Sequence, residues 1–161
     1  MISALYDSPI GTLTLASNGN AITQLEFEGG KYALPQHDLG NDKIIDQARR
    51  ELDAYFAGKL RAFKVRVAPQ GTEFQRKVWA ALQAIPYGAT RSYAQQATAI
   101  GAPKATRAVG AANGRNPIPV IIPCHRVIGA NGSLTGFGGG MERKQILLDL
   151  EQGGDLLARA S

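Results

Sequence analysis

One cysteine among 161 residues excludes an intrachain disulfide. With His37 and His125 as the only histidines, it also excludes a structural zinc site of four cysteines or of two cysteines and two histidines. No segment approaches the roughly 20 apolar residues of a membrane span. The opening MISALYDSPIGTLTL carries neither the basic stretch nor the long apolar run of a secretory leader, so a reducing cytoplasm is the expected setting. Acidic residues are nearly missing from one part of the chain. Residues 1–71 balance 8 Lys/Arg against 8 Asp/Glu and residues 127–161 hold 3 against 4, whereas residues 72–126 hold 7 against 1. The formal net charge of +5 therefore comes from the central block. A solvated basic surface and a polyanion partner both fit it.

The patterns that are present divide the chain in two. ISALY, TLTLA and AITQLEF alternate as strands do, and Asn18-Gly19 between the last two is a hairpin signal, so a small antiparallel sheet is expected. NDKIIDQARRELDAYFA then places Ile44, Ile45, Ala48, Leu52, Tyr55 and Phe56 on one helical stripe, with Asn41 as cap and Gly58 as stop. FKVRVAPQGT reads as a short strand and a linker, separating a domain of residues 1–70 from one of residues 71–161. The second domain opens with a helix capped by Thr72, in which Phe74, Val78, Ala81, Leu82 and Ile85 share a face until Pro86. SYAQQATAI and APKATRAVGAAN, separated by Gly101, read as a helix-turn-helix inside the basic block. The second of these helices is built from Ala102, Ala105, Ala108, Gly110, Ala111 and Ala112, with Lys104 and Arg107 as its only charges. Small side chains let a backbone approach a surface closely. Pro117, Pro119 and Pro123 forbid further helix and predict an extended, buried segment ending at Cys124. GANGSLTGFGGG reads as a wing or loop, and MERKQILLDLE as a final helix with Ile146, Leu147 and Leu150 inward. The expected class is α+β, a sheet-plus-helix domain followed by a helical one.

A lone cysteine is most often a small core hydrophobe. Here a proline-rich backbone holds it, His125 follows it, and Arg126 and Arg115 are expected to favour thiolate over thiol. Neighbours in an extended strand face opposite ways, so His125 would reach the sulfur through a bridging water. His125 itself is either a satisfied core histidine or a base. A base needs an orienting carboxylate, for which Glu142, Asp149 and Glu151 on the last helix are candidates. Glu151 lies one turn beyond Leu147, on the inward stripe.

PCHRV, preceded by GRNPIPVII and by SYAQQATAIGAPKATRAVGAA, resembles the O6-alkylguanine-DNA alkyltransferases, most strongly from Phe74 to Glu151. The resemblance implies a ribonuclease-H-like N-terminal domain and a winged helix-turn-helix C-terminal domain. It also implies stoichiometric, suicidal repair of O6-alkylguanine in DNA, with O4-alkylthymine as a further candidate substrate. Cys124 would be the nucleophile, His125 would act through water, and Glu151 would hold the histidine. Asn116 would brace the turn. Tyr93 would help rotate the nucleotide and donate a hydrogen bond to the departing guanine, while Arg107 would fill the gap in the stack. Ala102 and Lys104 would lie on DNA, and Val127, Phe137 and Gly138 would line the pocket. The implied partner is alkylated duplex DNA entered through its minor groove, with a monomeric protein and no cofactor, metal or membrane. Phe137-Gly138 stands where the family often has Tyr-Ser or Tyr-Ala, so hydroxyl contacts are lost and selection among larger alkyl groups is affected.

Three other readings compete. A transferase using S-adenosylmethionine needs a glycine-rich turn early in a βαβ unit of roughly 30 residues, and GFGGG lies too near the end for one. A cysteine hydrolase would use Cys124 and His125 but leaves the basic helix-turn-helix unexplained. A non-catalytic DNA-binding module explains the charge and not the cysteine.

Overall fold

The computed structural model describes residues 1–28, 38–132, 137 and 139–153. Its first half is a four-stranded sheet covered by a helix. β1 (Ile2–Ser8), β2 (Gly11–Ser17) and β3 (Ile22–Phe27) form the antiparallel meander expected from their alternation, and β4 (Asp38–Leu39) adds to β1 in parallel, giving the order β3-β2-β1-β4. The sheet is therefore mixed rather than purely antiparallel. The turn between β2 and β3 closes through Asn18 N–H to Ala21 O at 3.2 Å, with Gly19 at φ +90°. α1 (Lys43–Phe56) buries Ile45, Ala48, Leu52, Tyr55 and Phe56 in the core that also holds Leu13, Leu15 and Leu25. Its cap is Asp42, not Asn41: the Asp42 carboxylate accepts from Ile45 N–H at 2.8 Å, while Asn41 donates to Asp46 one turn ahead. The strand expected in FKVRV reduces to a single bridge, in which Ile22 exchanges backbone bonds with Arg66 and Ala68.

The second half is helical. α2 (Glu73–Gln83) opens on a capping box between Thr72 and Gln75 and buries Val78, Trp79 and Leu82. β5 (Arg91–Ser92) leads directly into α3 (Tyr93–Ala99), capped by Ser92 with Gln95, and α4 (Thr106–Gly114) follows. α4 begins four residues later than its composition suggested. Gly101 takes φ +76°, and a turn closed by Ala105 N–H to Ala102 O at 2.9 Å places Pro103 at its second position. Ala102 and Lys104 thus lie in the turn of the helix-turn-helix, not on its second helix.

Buried tethers hold the three helices together. Gln96 donates to Val78 O at 3.1 Å, and Trp79 Nε1 donates to Ala112 O at 2.8 Å.

Residues 115–123 do not form the extended segment expected of them. Asn116 folds them into a braced turn: its Oδ1 accepts from Ile118 N–H at 2.9 Å and its Nδ2 donates to Ile122 O at 2.8 Å. Val120 is held at φ 73° inside that turn, a costly conformation for a β-branched residue that these bonds enforce. Pro117 O accepts from Leu25 N–H at 2.8 Å, tying the turn to the first-half sheet. Cys124–Arg126 is then one turn of 3-10 helix, β6 (Val127–Ile128) pairs in parallel with β5, and α5 (Met141–Glu151) closes the description. Among the described residues no helix is long and apolar enough to cross a membrane. Gly138, His37 and residues 133–136 of the expected wing lie outside the described residues.

Candidate active site

Cys124 sits at the start of the 3-10 turn, buried at 3 % exposure between the Asn116-braced turn and β6. The β5–β6 ladder, Arg91 opposite Val127 and Ser92 opposite Ile128, joins this turn to the residue that caps α3. A two-residue ladder thereby fixes the cysteine relative to Tyr93, the first residue of α3. Tyr93 lies against α4, where a Cβ added to Gly110 would sit 3.7 Å from its ring. Arg107 and Lys104 are exposed and Ala102 is half-buried.

Behind Cys124, one carboxylate organises three side chains. His125 Nε2 lies 2.7 Å from Glu151 Oε2, and both side chains are essentially without exposure. Arg126 donates from Nε to Oε1 at 2.7 Å, from a terminal nitrogen to Oε2 at 3.0 Å, and from the other to Ile85 O at 2.7 Å. Tyr55 of α1 donates its hydroxyl to Oε2 at 2.5 Å. Hydrogen bonds from His125, Arg126 and Tyr55 outweigh burial and hold the Glu151 carboxyl at about 2. It is therefore ionised and can only accept, so the proton on His125 belongs on Nε2. Burial lowers the histidine's own pKa, so the ring is neutral and Nδ1 keeps a lone pair. Buried Nδ1 has no protein partner, and neither does Asn113 Oδ1, whose amide nitrogen donates to Cys124 O at 3.3 Å. Of the other carboxylates considered, Glu142 is exposed and Asp149 accepts from Gln145.

Charge near the thiol is arranged differently from the sequence expectation. The charge of Arg126 is taken up by Glu151, and Arg115 is exposed. Burial pushes the Cys124 thiol up to about 11, and the Asn116 side chain and the Lys144 charge pull against it. The resting sulfur is a protonated thiol. Lys144 has no solvent exposure, donates to Val127 O at 2.7 Å and is itself lowered to about 8 by burial. It escaped the sequence reading because a lysine in MERKQ resembles a solvated helix face. Tyr55 escaped for the opposite reason, as one aromatic among the apolar residues of its stripe. Trp79 and Asn113 also went unnoticed.

Phe137 is buried against Phe27 of β3, their ring centres 5.5 Å apart. A side chain at Gly139 would meet both rings at 2.7 Å, so only glycine fits there. Val127, also buried, lies between Cys124 and this cluster in sequence. Among the described residues no three His, Cys, Asp or Glu side chains assemble into a metal site.

Known proteins reproduce this arrangement of two halves. Residues 1–69 match the family model for the 6-O-methylguanine DNA methyltransferase ribonuclease-like domain, and residues 73–153 match that for the DNA binding domain. The methylated-DNA–protein-cysteine methyltransferase of Methanosarcina acetivorans is 51% identical over 153 residues, covering 94% of this chain and 98% of its own. That of Mycobacterium tuberculosis is 53% identical over 147 residues, covering 91% and 89%. The crystal structure of Mycobacterium tuberculosis OGT in complex with DNA superposes with a TM-score of 0.91 at 48% identity, covering 100% of both chains.

Proposed function

This chain belongs to the 6-O-methylguanine DNA methyltransferase family, and on that premise we infer that it repairs alkylated DNA by moving the alkyl group from guanine O6 to its own Cys124. The observation that carries the assignment to Cys124 is its position: it is the chain's one cysteine, buried beside a neutral histidine held by an ionised carboxylate.

Sγ attacks the O6-alkyl carbon in line, the S–C bond forms as the C–O bond breaks, and guanine departs. The thiol proton passes through a water to His125 Nδ1, and an equivalent proton returns to the guanine, so no net proton is consumed. Glu151 keeps Nε2 protonated and Nδ1 free, as an orienting carboxylate does in hydrolytic triads. Lys144 stabilises the thiolate as it forms. Asn116 fixes the turn carrying Cys124, and its side chain favours the thiolate. Tyr93 donates a hydrogen bond to the departing guanine, and Val127 and Phe137 line the base pocket. The thioether has no route back, so each chain reacts once.

The O6 position is hidden in a duplex, and extruding the nucleotide costs a few kcal/mol that basic contacts must offset. Ala102 and Lys104 in the turn, and the small residues of α4, meet the minor groove, while Arg107 occupies the stack. Arg107→Ala is expected to slow repair of duplex by roughly a hundredfold while slowing reaction with free O6-methylguanine less than about threefold. Equal losses on both would exclude intercalation. We place the reaction in a reducing cytoplasm, where a thiol nucleophile stays unoxidised.

Mass spectrometry of the intact chain tests the reading. Mixed with excess O6-methylguanine DNA and no cofactor, the protein should gain one methyl group, on Cys124, and stop. Sustained turnover, or a need for S-adenosylmethionine, would exclude a suicide reaction.

A further inference from the structure

Tyr55 carries a hydrogen bond from the first half to the relay, 96 residues from its partner in sequence. It has no solvent exposure, and its ring is fixed edge-on to Phe56 and Tyr87 and tilted against Phe63. Its hydroxyl donates to Glu151 Oε2, the same oxygen that receives His125 Nε2. A core tyrosine needs only some acceptor, and Tyr6 of β1 finds one in Asp53 of α1 at 2.6 Å. Tyr55 instead bonds the oxygen on which the histidine's tautomer and ring orientation depend.

We propose that Tyr55 is a positioning residue for alkyl transfer: the N-terminal domain supplies a hydroxyl that fixes Glu151 Oε2 and sets how strongly Glu151 draws on His125. The role rests on the proposed relay from Cys124 through His125 to Glu151. Arg126 already holds Oε1 and reaches Oε2 at 3.0 Å, so the carboxylate stays in place without Tyr55. The tyrosine changes how the charge on Oε2 is shared. Hydrogen bonds from His125 and Tyr55 compete for the same electron density, and removing one strengthens the other. Without the hydroxyl, Glu151 would stabilise protonated His125 more, and a larger fraction of the histidine would lose the free lone pair near neutral pH. The charged and titratable groups around the pair are Cys124 and Arg126 on the 3-10 turn, Lys144 on α5, and Tyr87 with Arg61 5.4 Å from its ring centre. None of these changes when the Tyr55 hydroxyl is removed.

Tyr55→Phe retains every ring contact, and single-turnover transfer from O6-methylguanine DNA is the measurement, taken across pH on wild type, Tyr55→Phe, Glu151→Gln and the double variant. Transfer by Tyr55→Phe should be roughly tenfold slower at neutral pH, with DNA affinity unchanged. The rise of its rate with pH should have a midpoint displaced to higher pH. In the Glu151→Gln background the same change should cost nothing further, since Tyr55 acts through that carboxylate. A residue that merely packs would lower the melting temperature and leave the shape of the pH profile alone. An unshifted profile, or equal rate losses in the two backgrounds, would overturn the role of Tyr55 while leaving the methyl transfer of the wild type intact. A wild-type chain that takes up no methyl group would overturn the proposed function, and this role with it.

Discussion

Cys124→Ser is expected to abolish alkyl transfer, a fall of at least about a thousandfold, while the protein still binds O6-methylguanine duplex within about threefold of wild type. Serine preserves the shape of the side chain in a site only 3 % exposed, so the fold should survive with a change of about 1 kcal/mol or less. A hydroxyl is a harder and far more basic nucleophile than a thiol. Here the thiol already needs help, because burial pushes it up to about 11, and the same burial acts on an alkoxide. Affinity has another origin: residues 72–126 carry 7 Lys/Arg against 1 Asp/Glu, and backbone phosphates supply most of the attraction to such a surface. Fluorescence anisotropy with a labelled duplex and transfer of a radiolabelled methyl group should therefore separate. A folded serine variant that no longer binds would make Cys124 a structural residue.

Local patterns were legible where a residue's role depends on its neighbours in sequence. The alternation of β1 to β3, the Thr72 cap and the stripe of α1 depend on periods of two to four residues, and all appear in the structure. The inward position of Glu151 followed from the period of α5 as well. What stayed hidden depends on distant partners. The β5–β6 ladder joins two residues to two others 36 positions away, too short a run to show any alternation. Lys144 reads as surface until Val127 O and the buried thiol are placed beside it. The supposed strand ending at Cys124 failed for a different reason: three prolines remove donors, which is compatible with extended chain and with tight turns alike, and Asn116 decides for the turn. The charge argument erred in sign of emphasis, since Arg126 is adjacent in sequence but paired with Glu151 in space.

Glu151→Gln tests that pairing through stability rather than chemistry. The carboxylate receives Tyr55, His125 and two nitrogens of Arg126, and Arg126 is only 6 % exposed. A neutral amide leaves that guanidinium as an uncompensated buried charge and turns one acceptor into a donor facing donors, which should cost about 3–5 kcal/mol at neutral pH. Urea unfolding at pH 7 should show the midpoint falling sharply. The difference between the two proteins should then shrink in acid. Glu151 has its pKa depressed from an ordinary 4.5 to about 2, so the folded protein releases this proton more readily than the unfolded chain. Its stabilisation is complete above about pH 4.5 and is lost as pH falls through 2. His125 adds acid sensitivity of the same sign, because burial lowers it below its ordinary 6.5 and the unfolded chain protonates first. That contribution is larger in Glu151→Gln, because the carboxylate is among the groups that raise His125 against burial, so the gap closes only once Glu151 itself is protonated in the wild type. Curves for wild type and Glu151→Gln should therefore lie far apart at pH 7 and converge as pH is taken below 4.5. Parallel curves, or coincident ones at neutral pH, would mean that the buried carboxylate contributes little and that the Tyr55, His125 and Arg126 bonds do not hold the two halves together.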